Sequence, residues 1–388
     1  MPVIGISGSY GGLNLGDEAI LASAVAQLRS AVPDVEIVAF SRNAEHTSRN
    51  QDVDRALNAR TVLRADILPE VERLDLLLLG GGGILYDSEA QAYLREVVLA
   101  QEAGVPTFAF AVGIGPLADR HEREAVRDGL NRMAGITVRE VTAKRLVEDI
   151  GVTVPVEVTA DLALLLEPEP FTDDMLVREG IPLDRRLVAV SVRERGAAAP
   201  DLSASGYHDI IAHSADYMAL RFDADVVFVP MERADLREIH AVVSRMGAPE
   251  RAHVLKGDYR PRQVLGLMPR FEMAVGMRLH FLIFAAVAGV PIMALPYASK
   301  VRDFLASLGT AEWMPAAEAR PGAFLAALDR LWDERQSHRD HMAGRLEHLR
   351  TRARRTVPLA LSVIGRGPGA ASGQGASGEG QANPPVAF

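Results

Sequence analysis

Two uninterrupted apolar runs, LDLLLLG at 74–80 and PTFAFAVG at 106–113, most restrict what this chain can become. A strand with one wet face alternates apolar and polar residues, and these runs do not. They read as strands buried on both faces, as in a parallel sheet covered by helices on either side. Between such runs lie segments of helical period, so the order is strand, helix, strand, which predicts a doubly wound α/β sheet. Strands are expected at 3–6, 35–40, 75–79, 106–112, 136–138 and 156–158. Helices are expected at about 17–30, 88–103, 120–134 and 140–149.

At 166–186 (LEPEPFTDDMLVREGIPLDRR) Pro168, Pro170 and Pro182 interrupt the rhythm, which predicts a crossing between domains. It then restarts, with strands expected at 187–193, 225–230, 272–276 and 291–295. The accompanying helices fall near 207–222, 234–246, 261–268, 279–288 and 299–308. The fold class is therefore α/β, with two similar Rossmann-like halves. The boundaries expected are 1–170 for the first domain, 171–186 for the linker and 187–320 for the second domain. A charged helical pattern at 321–360 should pack back across the junction. The Gly, Ala, Ser and Pro of 361–388 cannot bury enough apolar surface to order themselves.

Composition removes several chemistries. With no cysteine, disulfides, thiolate metal sites and cysteine nucleophiles are excluded. A net charge of −9 argues against electrostatic binding of nucleic acid. No run of apolar residues reaches the length of a membrane span; FLIFAAVAGVPIMALP is broken by Gly289, Pro291 and Pro296. VIGI at 3–6 lacks a basic flank and a cleavage site and reads as a first strand. The expected location is the cytoplasm, with a peripheral contact at the inner face of the membrane left open.

Three glycine-bearing segments end strands: SGSYGGLNLGDEAI (7–20), LLLLGGGGILYD (76–87) and AVGIGPL (111–117). The first opens a helix, whose free N–H groups suit an anion, yet it has neither a Walker Lys nor dinucleotide-type glycine spacing. Asp17 and Glu18 at that helix start could equally be dipole partners. Four consecutive glycines exceed the needs of a turn and suggest close backbone approach to a substrate, and Gly81, Gly82 and Gly113 are candidates for that contact. Arg139 follows strand 136–138 and could point into the same crevice or pair with Glu140 on the surface. Asp161 sits in an apolar run and either orders a loop, the favoured reading, or faces the ligand. In the second half Arg193 ends one strand, and Arg278 and His280 mark the turn into the apolar helix FLIFAAVA. Lys300 follows the next strand, so three cationic or titratable residues converge at neighbouring strand ends.

Read in order, N-x-GDEA, GGGG-x-L-x-D, VGIGPL, VRE, V-x-x-D-x-A, SVR, VPM, GMRLH and Y-x-x-K-V resemble the polysaccharide pyruvyltransferase family from about residue 4 to 309. Two positions depart from it. Ala298-Ser299 stands where the family often has Asp-Pro, and Asp161-Leu162-Ala163 where it often has Asp-Pro-Ala. The resemblance implies two Rossmann-like domains facing a cleft, an architecture of the glycosyltransferase-B type. It also implies transfer of the enolpyruvyl unit of phosphoenolpyruvate to two hydroxyls of a sugar or lipid-linked saccharide, giving a pyruvate ketal, in the making of envelope, capsular or exopolysaccharide precursors. The sequence holds no metal-type cluster of His and carboxylates, so no essential metal is expected, and no cofactor, the donor being a substrate. A donor with a carboxylate and a phosphate needs several cations, for which Arg139, Arg278, Lys300 and Arg193 are the candidates. His280 is the expected acid, able to titrate near neutral pH. Asp17, Glu18 or Asp87 could take a hydroxyl proton. Asn14 joins Gly81, Gly82, Asp87 and Gly113 in the expected substrate-binding set. The alternatives are a glycosyltransferase or nucleotide-sugar enzyme of the same fold, and a non-catalytic sugar-binding relative.

Overall fold

Short runs of Val, Ile, Leu and Phe make thirteen strands among the described residues of a computed structural model, which are 1–194, 203–295, 299–310 and 321–364. The first domain begins β1 (Val3–Ser7), α1 (Leu15–Ala31), β2 (Glu36–Ser41), α2 (Ala44–Asn50), β3 (Arg55–Asn58), α3 (Arg64–Glu72). It continues β4 (Leu76–Gly80), β5 (Gly83–Leu85), α4 (Ala90–Glu102), β6 (Thr107–Ile114), α5 (Arg120–Asn131), β7 (Gly135–Val138), α6 (Val141–Asp149), β8 (Val156–Val158). A 3-10 turn (Leu162–Leu165) and α7 (Asp173–Arg178) lead out of it.

The second domain runs β9 (Arg186–Ser191), α8 (Ala204–Arg221), β10 (Ala224–Phe228), α9 (Asp235–Val243), β11 (Ala252–Val254), α10 (Pro261–Leu267). Then come β12 (Phe271–Gly276), α11 (Leu279–Val287), β13 (Ile292–Ala294) and α12 (Ser299–Leu308). Three more helices follow, α13 (Pro321–Asp333), α14 (Arg335–Arg354) and α15 (Thr356–Leu361).

Both sheets are parallel and wound in the same sense. The first has the order β3-β2-β1-β4-β6-β7-β8 with β5 beside β6; the second has β11-β10-β9-β12-β13. Strand order reverses between β1 and β4 in one and between β9 and β12 in the other, and loops leaving such points flank a crevice that binds ligands in open α/β sheets. At the first of these points β4 is buried throughout, with Leu76, Leu77, Leu78 and Leu79 at 0% exposure, so both its faces are covered. One continuous apolar core joins the two domains, running from Ile4 and Phe110 through Leu162 and Leu164 to Val188 and Phe281. A second core fills the far face of the first sheet.

Each strand expected from the sequence coincides with one in the structure. Those missed are β3, β5 and β11, each of three or four residues, two at sheet edges and one inside the glycine run. The missed helices are polar or broken in pattern: α2 is AEHTSRN, capped by Asn43, and α3 contains Pro69. The stretch 171–186, expected as a bare linker, carries α7, whose start Thr172 caps. The charged pattern after 321 divides into α13, which packs on α8, and α14, which packs on the 3-10 turn and α12, while α15 returns to α1 and β6. Of the expected disordered end, 365–388 lies outside the described residues. No described helix is long and apolar enough to cross a membrane.

Candidate active site

The first turn of α1 is set by Asn14. Its side-chain oxygen accepts the N–H groups of Gly16 (2.9 Å) and Asp17 (3.4 Å), satisfying donors that the helix leaves open. Its amide donates to Glu232 of the second domain (3.0 Å), and the Leu15 N–H donates to the Met231 carbonyl (2.8 Å). The N-terminus of α1 is thereby fixed to the loop after β10. Glu18 is turned away from the cleft. Its two oxygens accept from the Gly11 N–H (2.7 Å) and from Gln51 (2.9 Å), so it braces the glycine loop instead of offering a base.

The glycine run after β4 is shaped by packing as much as by access. Gly81 has φ +55°, and a Cβ there would lie 1.9 Å from Ile20 of α1; one at Gly82 would lie 2.9 Å from Asp17. Neither lines the cavity between the domains, whereas Gly83 does. Asp87 is likewise absent from it. Its carboxylate accepts the N–H groups of Ala118 (2.8 Å) and Asp119 (3.0 Å) and so shapes the approach to α5.

The cavity occupies about 500 Å³ where the two switch points face each other, and brings together Asn14, Asp17, Gly113, Arg139, Arg193, Arg278, His280 and Lys300. Gly83 and Gly113 are paired in register between β5 and β6 and form its floor. Over that floor lies Arg139: a Cβ on Gly113 would sit 2.7 Å from its Nη2, and one on Gly83 would sit 3.4 Å from the same atom. The arginine is buried. Its Nε donates to Glu140 (2.9 Å) and its Nη1 to Asp161 (2.8 Å). Burial works against its charge, but these two carboxylates raise its pKa above the usual range. Nη2 makes no hydrogen bond to the described residues and faces the glycines. The Lys300 ammonium is close by, 4.0 Å from the place a Gly83 Cβ would take.

Arg278 is held differently. Its Nε donates to Asp235 (3.1 Å) and its Nη2 to both Asp235 and Glu232, while Asp235 also accepts the Met231 N–H (3.0 Å). The guanidinium is a strut between the loops after β10 and β12. Arg193 lines the cavity from the end of β9, its carbonyl fixed by the Tyr207 hydroxyl (2.9 Å).

His280, in the first turn of α11, reaches across to the first domain. A Cβ on Gly16 would lie 1.9 Å from its Nδ1, so only glycine allows this approach. Its Nε2 lies 3.4 Å from Asp161 Oδ2 at ion-pair distance, without the alignment of a hydrogen bond. Asp17 faces the cavity beside this contact. Burial raises its carboxyl pKa, against the opposing pull of His280, Lys300 and Arg139. Ser9, Arg42, Tyr86, Tyr93, Glu140 and Glu232 also line the cavity. Tyr86 sits at an unspecified position of the GGGG-x-L-x-D motif, Arg42 follows β2, which carries no motif, and Tyr93 comes from α4; only their positions after strand ends or on a covering helix could have suggested them. Ala298 lies outside the described residues, and Ser299 begins α12 at the cavity edge.

Among solved structures, UDP-GlcNAc 2-epimerase of Neisseria meningitidis, crystallised with UDP-GlcNAc, superposes with a TM-score of 0.62 at 12% identity, covering 93% of this chain and 100% of that one. A putative UDP-N-acetylglucosamine 2-epimerase of Listeria monocytogenes gives 0.63 at 14% identity, covering 93% and 96%. ADP-heptose LPS heptosyltransferase II of E. coli gives 0.50 at 14% identity, covering 87% and 100%. At such identities the likeness concerns the fold, that of two parallel α/β domains in the glycosyltransferase-B manner. Comparison with curated proteins gives no match. The family profile described as polysaccharide pyruvyl transferase matches residues 14–299, from the cap of α1 to the start of α12, and with most of its length inside that match the chain belongs to the polysaccharide pyruvyl transferase family.

Proposed function

We propose that the chain moves the enolpyruvyl unit of phosphoenolpyruvate onto two hydroxyls of a sugar in a glycan or glycan precursor, forming a cyclic pyruvate ketal and releasing phosphate. The observation that carries this reading is the Arg139 Nη2 edge, directed over the Gly83–Gly113 floor with Lys300 beside it. Backbone without side chains lets a small dianion approach closely, and a planar guanidinium edge suits a carboxylate or phosphate. Arg193 adds charge from the opposite domain. Arg278, whose Nε and Nη2 are committed to Glu232 and Asp235, contributes by holding the loop that carries His280.

Protonated His280 gives its proton to the methylene carbon of the donor. The carbon that bore the phosphate becomes oxocarbenium-like, and one sugar hydroxyl adds to it while Asp17 takes the hydroxyl proton. Loss of the phosphate and addition of the second hydroxyl close the ring. One hydroxyl proton replaces that spent in making the methyl group, and the other leaves with inorganic phosphate. The phosphate is its own leaving group, so the sequence as written calls on no cofactor. Asp17 suits the base role because burial raises its pKa towards the working range. Arg42, Tyr86 and Tyr93, on the first-domain wall, offer a cation and aromatic faces to the acceptor.

The test incubates the full chain with phosphoenolpyruvate and a panel of sugar glycosides and lipid-linked saccharides. Phosphate release coupled to an acceptor mass gain of one ketal is expected. Consumption of nucleotide sugars alone would sink the reading in favour of the glycosyltransferase alternative. Donor binding without turnover on any acceptor would point to a non-catalytic relative.

A further inference from the structure

We propose that Asp161 and His280 form a carboxylate–histidine dyad across the two domains, in which Asp161 holds the Nε2–H edge of the ring and Nδ1 exchanges the proton with substrate. The proposal rests on the reading of His280 as the proton donor and assigns Asp161 as a positioning residue for it.

Asp161 is fixed from its own side. It caps the 3-10 turn through Oδ1, which accepts the Ala163 N–H at 2.9 Å, while Oδ2 faces both Arg139 Nη1 (2.8 Å) and His280 Nε2 (3.4 Å). Burial opposes its ionisation, but His280 and Arg139 together hold its pKa well below the usual carboxylate range. His280 Nε2 is buried and makes no hydrogen bond to the described residues. A buried donor left unpaired costs about 1–3 kcal/mol, and Asp161 is the carboxylate among the described residues at ion-pair distance from this one, 3.4 Å away without hydrogen-bond alignment. Catalytic hydrogen bonds of this kind tighten when substrate is bound.

The other ring edge has the complementary setting. Nδ1 rests against Gly16, in the first turn of α1, and the adjacent Asp17 faces the cavity and responds to the His280 charge. The charged groups around the ring are thus Asp161 and Arg139 behind it, with Asp17 and Lys300 towards the cavity. A carboxylate on Nε2–H leaves Nδ1 as the atom that delivers a proton to the methylene carbon and recovers one afterwards, the neutral ring keeping its Nε2 proton throughout. The two residues belong to different domains, so the tautomer is set only when the domains are together.

Two measurements test this. In the full chain labelled with ¹⁵N-histidine, His280 resonances are assigned by their loss in His280→Gln and read at a pH where the ring is neutral. A proton on Nε2 with bare Nδ1 is expected, and the opposite tautomer overturns the dyad. This readout depends on neither the donor nor any change at Asp161. Absence of phosphate release by the wild-type chain would therefore refute the proposed reaction while the dyad is still decided. In Asp161→Asn, kcat for phosphate release should fall by about 100-fold, the low end of a general acid's contribution, with a smaller change in donor KM. Asp161→Glu should restore part of it. A kcat for Asp161→Asn within about 3-fold of wild type, far below such a contribution, overturns the proposal.

Discussion

Arg139 and Arg278 both follow parallel strands, β7 in the first domain and β12 in the second, and each is buried against two carboxylates. Their difference lies in which edge of the guanidinium remains. Arg139 spends Nε and Nη1 and keeps Nη2 over bare glycine backbone. Arg278 spends Nε and Nη2 on acids of its own domain, one of which, Glu232, also grips Asn14. Counting charges would make the two alike. Geometry leaves one with an edge over bare glycine and makes the other a strut.

The largest expected effect separates them by stability. Arg278→Met strands the buried Asp235 beside Glu232 and should cost about 3–5 kcal/mol, read from the urea midpoint, as when one partner of a buried pair is removed. A midpoint within error of wild type would remove the strut role. Next, Arg139→Lys keeps the charge and loses the planar edge, so donor KM should rise about 10- to 100-fold, or about 1.4–2.8 kcal/mol. Arg278→Lys should move donor KM much less, and equal rises in the two would erase the comparison.

Gly16→Ala comes third. Its Cβ would collide with the His280 ring, so kcat should fall about 10-fold, worth about 1.4 kcal/mol, while donor KM holds. An unchanged kcat would mean that the ring tolerates displacement. The smallest effect is thermal and concerns Asp17. Because burial raises its folded-state pKa, Asp17 contributes stability that is fully present below the unfolded carboxylate value of about 3.9 and lost as pH rises through the folded value. Asp17→Asn should therefore melt higher than wild type at about pH 8 and alike at about pH 3. Asp161, with a lowered pKa, has the opposite sign, its contribution being lost as pH falls below about 3.9.

Much of the fold was legible because parallel strands buried on both faces leave unbroken apolar runs, as in β4 and β6. What stayed hidden was short or polar: β3 and β11 lie at sheet edges with little apolar content, and α2 is held by its cap. Within the site, Arg139, His280 and Lys300 could be picked out because strand ends of parallel sheets converge. Glu18 and Asp87 looked as suitable as Asp17 in sequence, since all three are acids beside glycine-bearing strand ends. Only the folded chain separates them, by giving the oxygens of Glu18 to Gly11 and Gln51 and those of Asp87 to backbone N–H groups.

The sequence by itself determined two doubly wound parallel sheets and a set of charged residues at their carboxyl ends, because period and strand-end position are local properties of a chain. Tertiary structure alone decided how those charges are spent. Whether an arginine edge is covered by a carboxylate or left over glycine depends on which strand ends pack together within one domain, and whether a histidine nitrogen meets Gly16 or Asp161 depends on contacts between residues more than a hundred positions apart. Such contacts follow from how the two domains face each other, which no local pattern encodes.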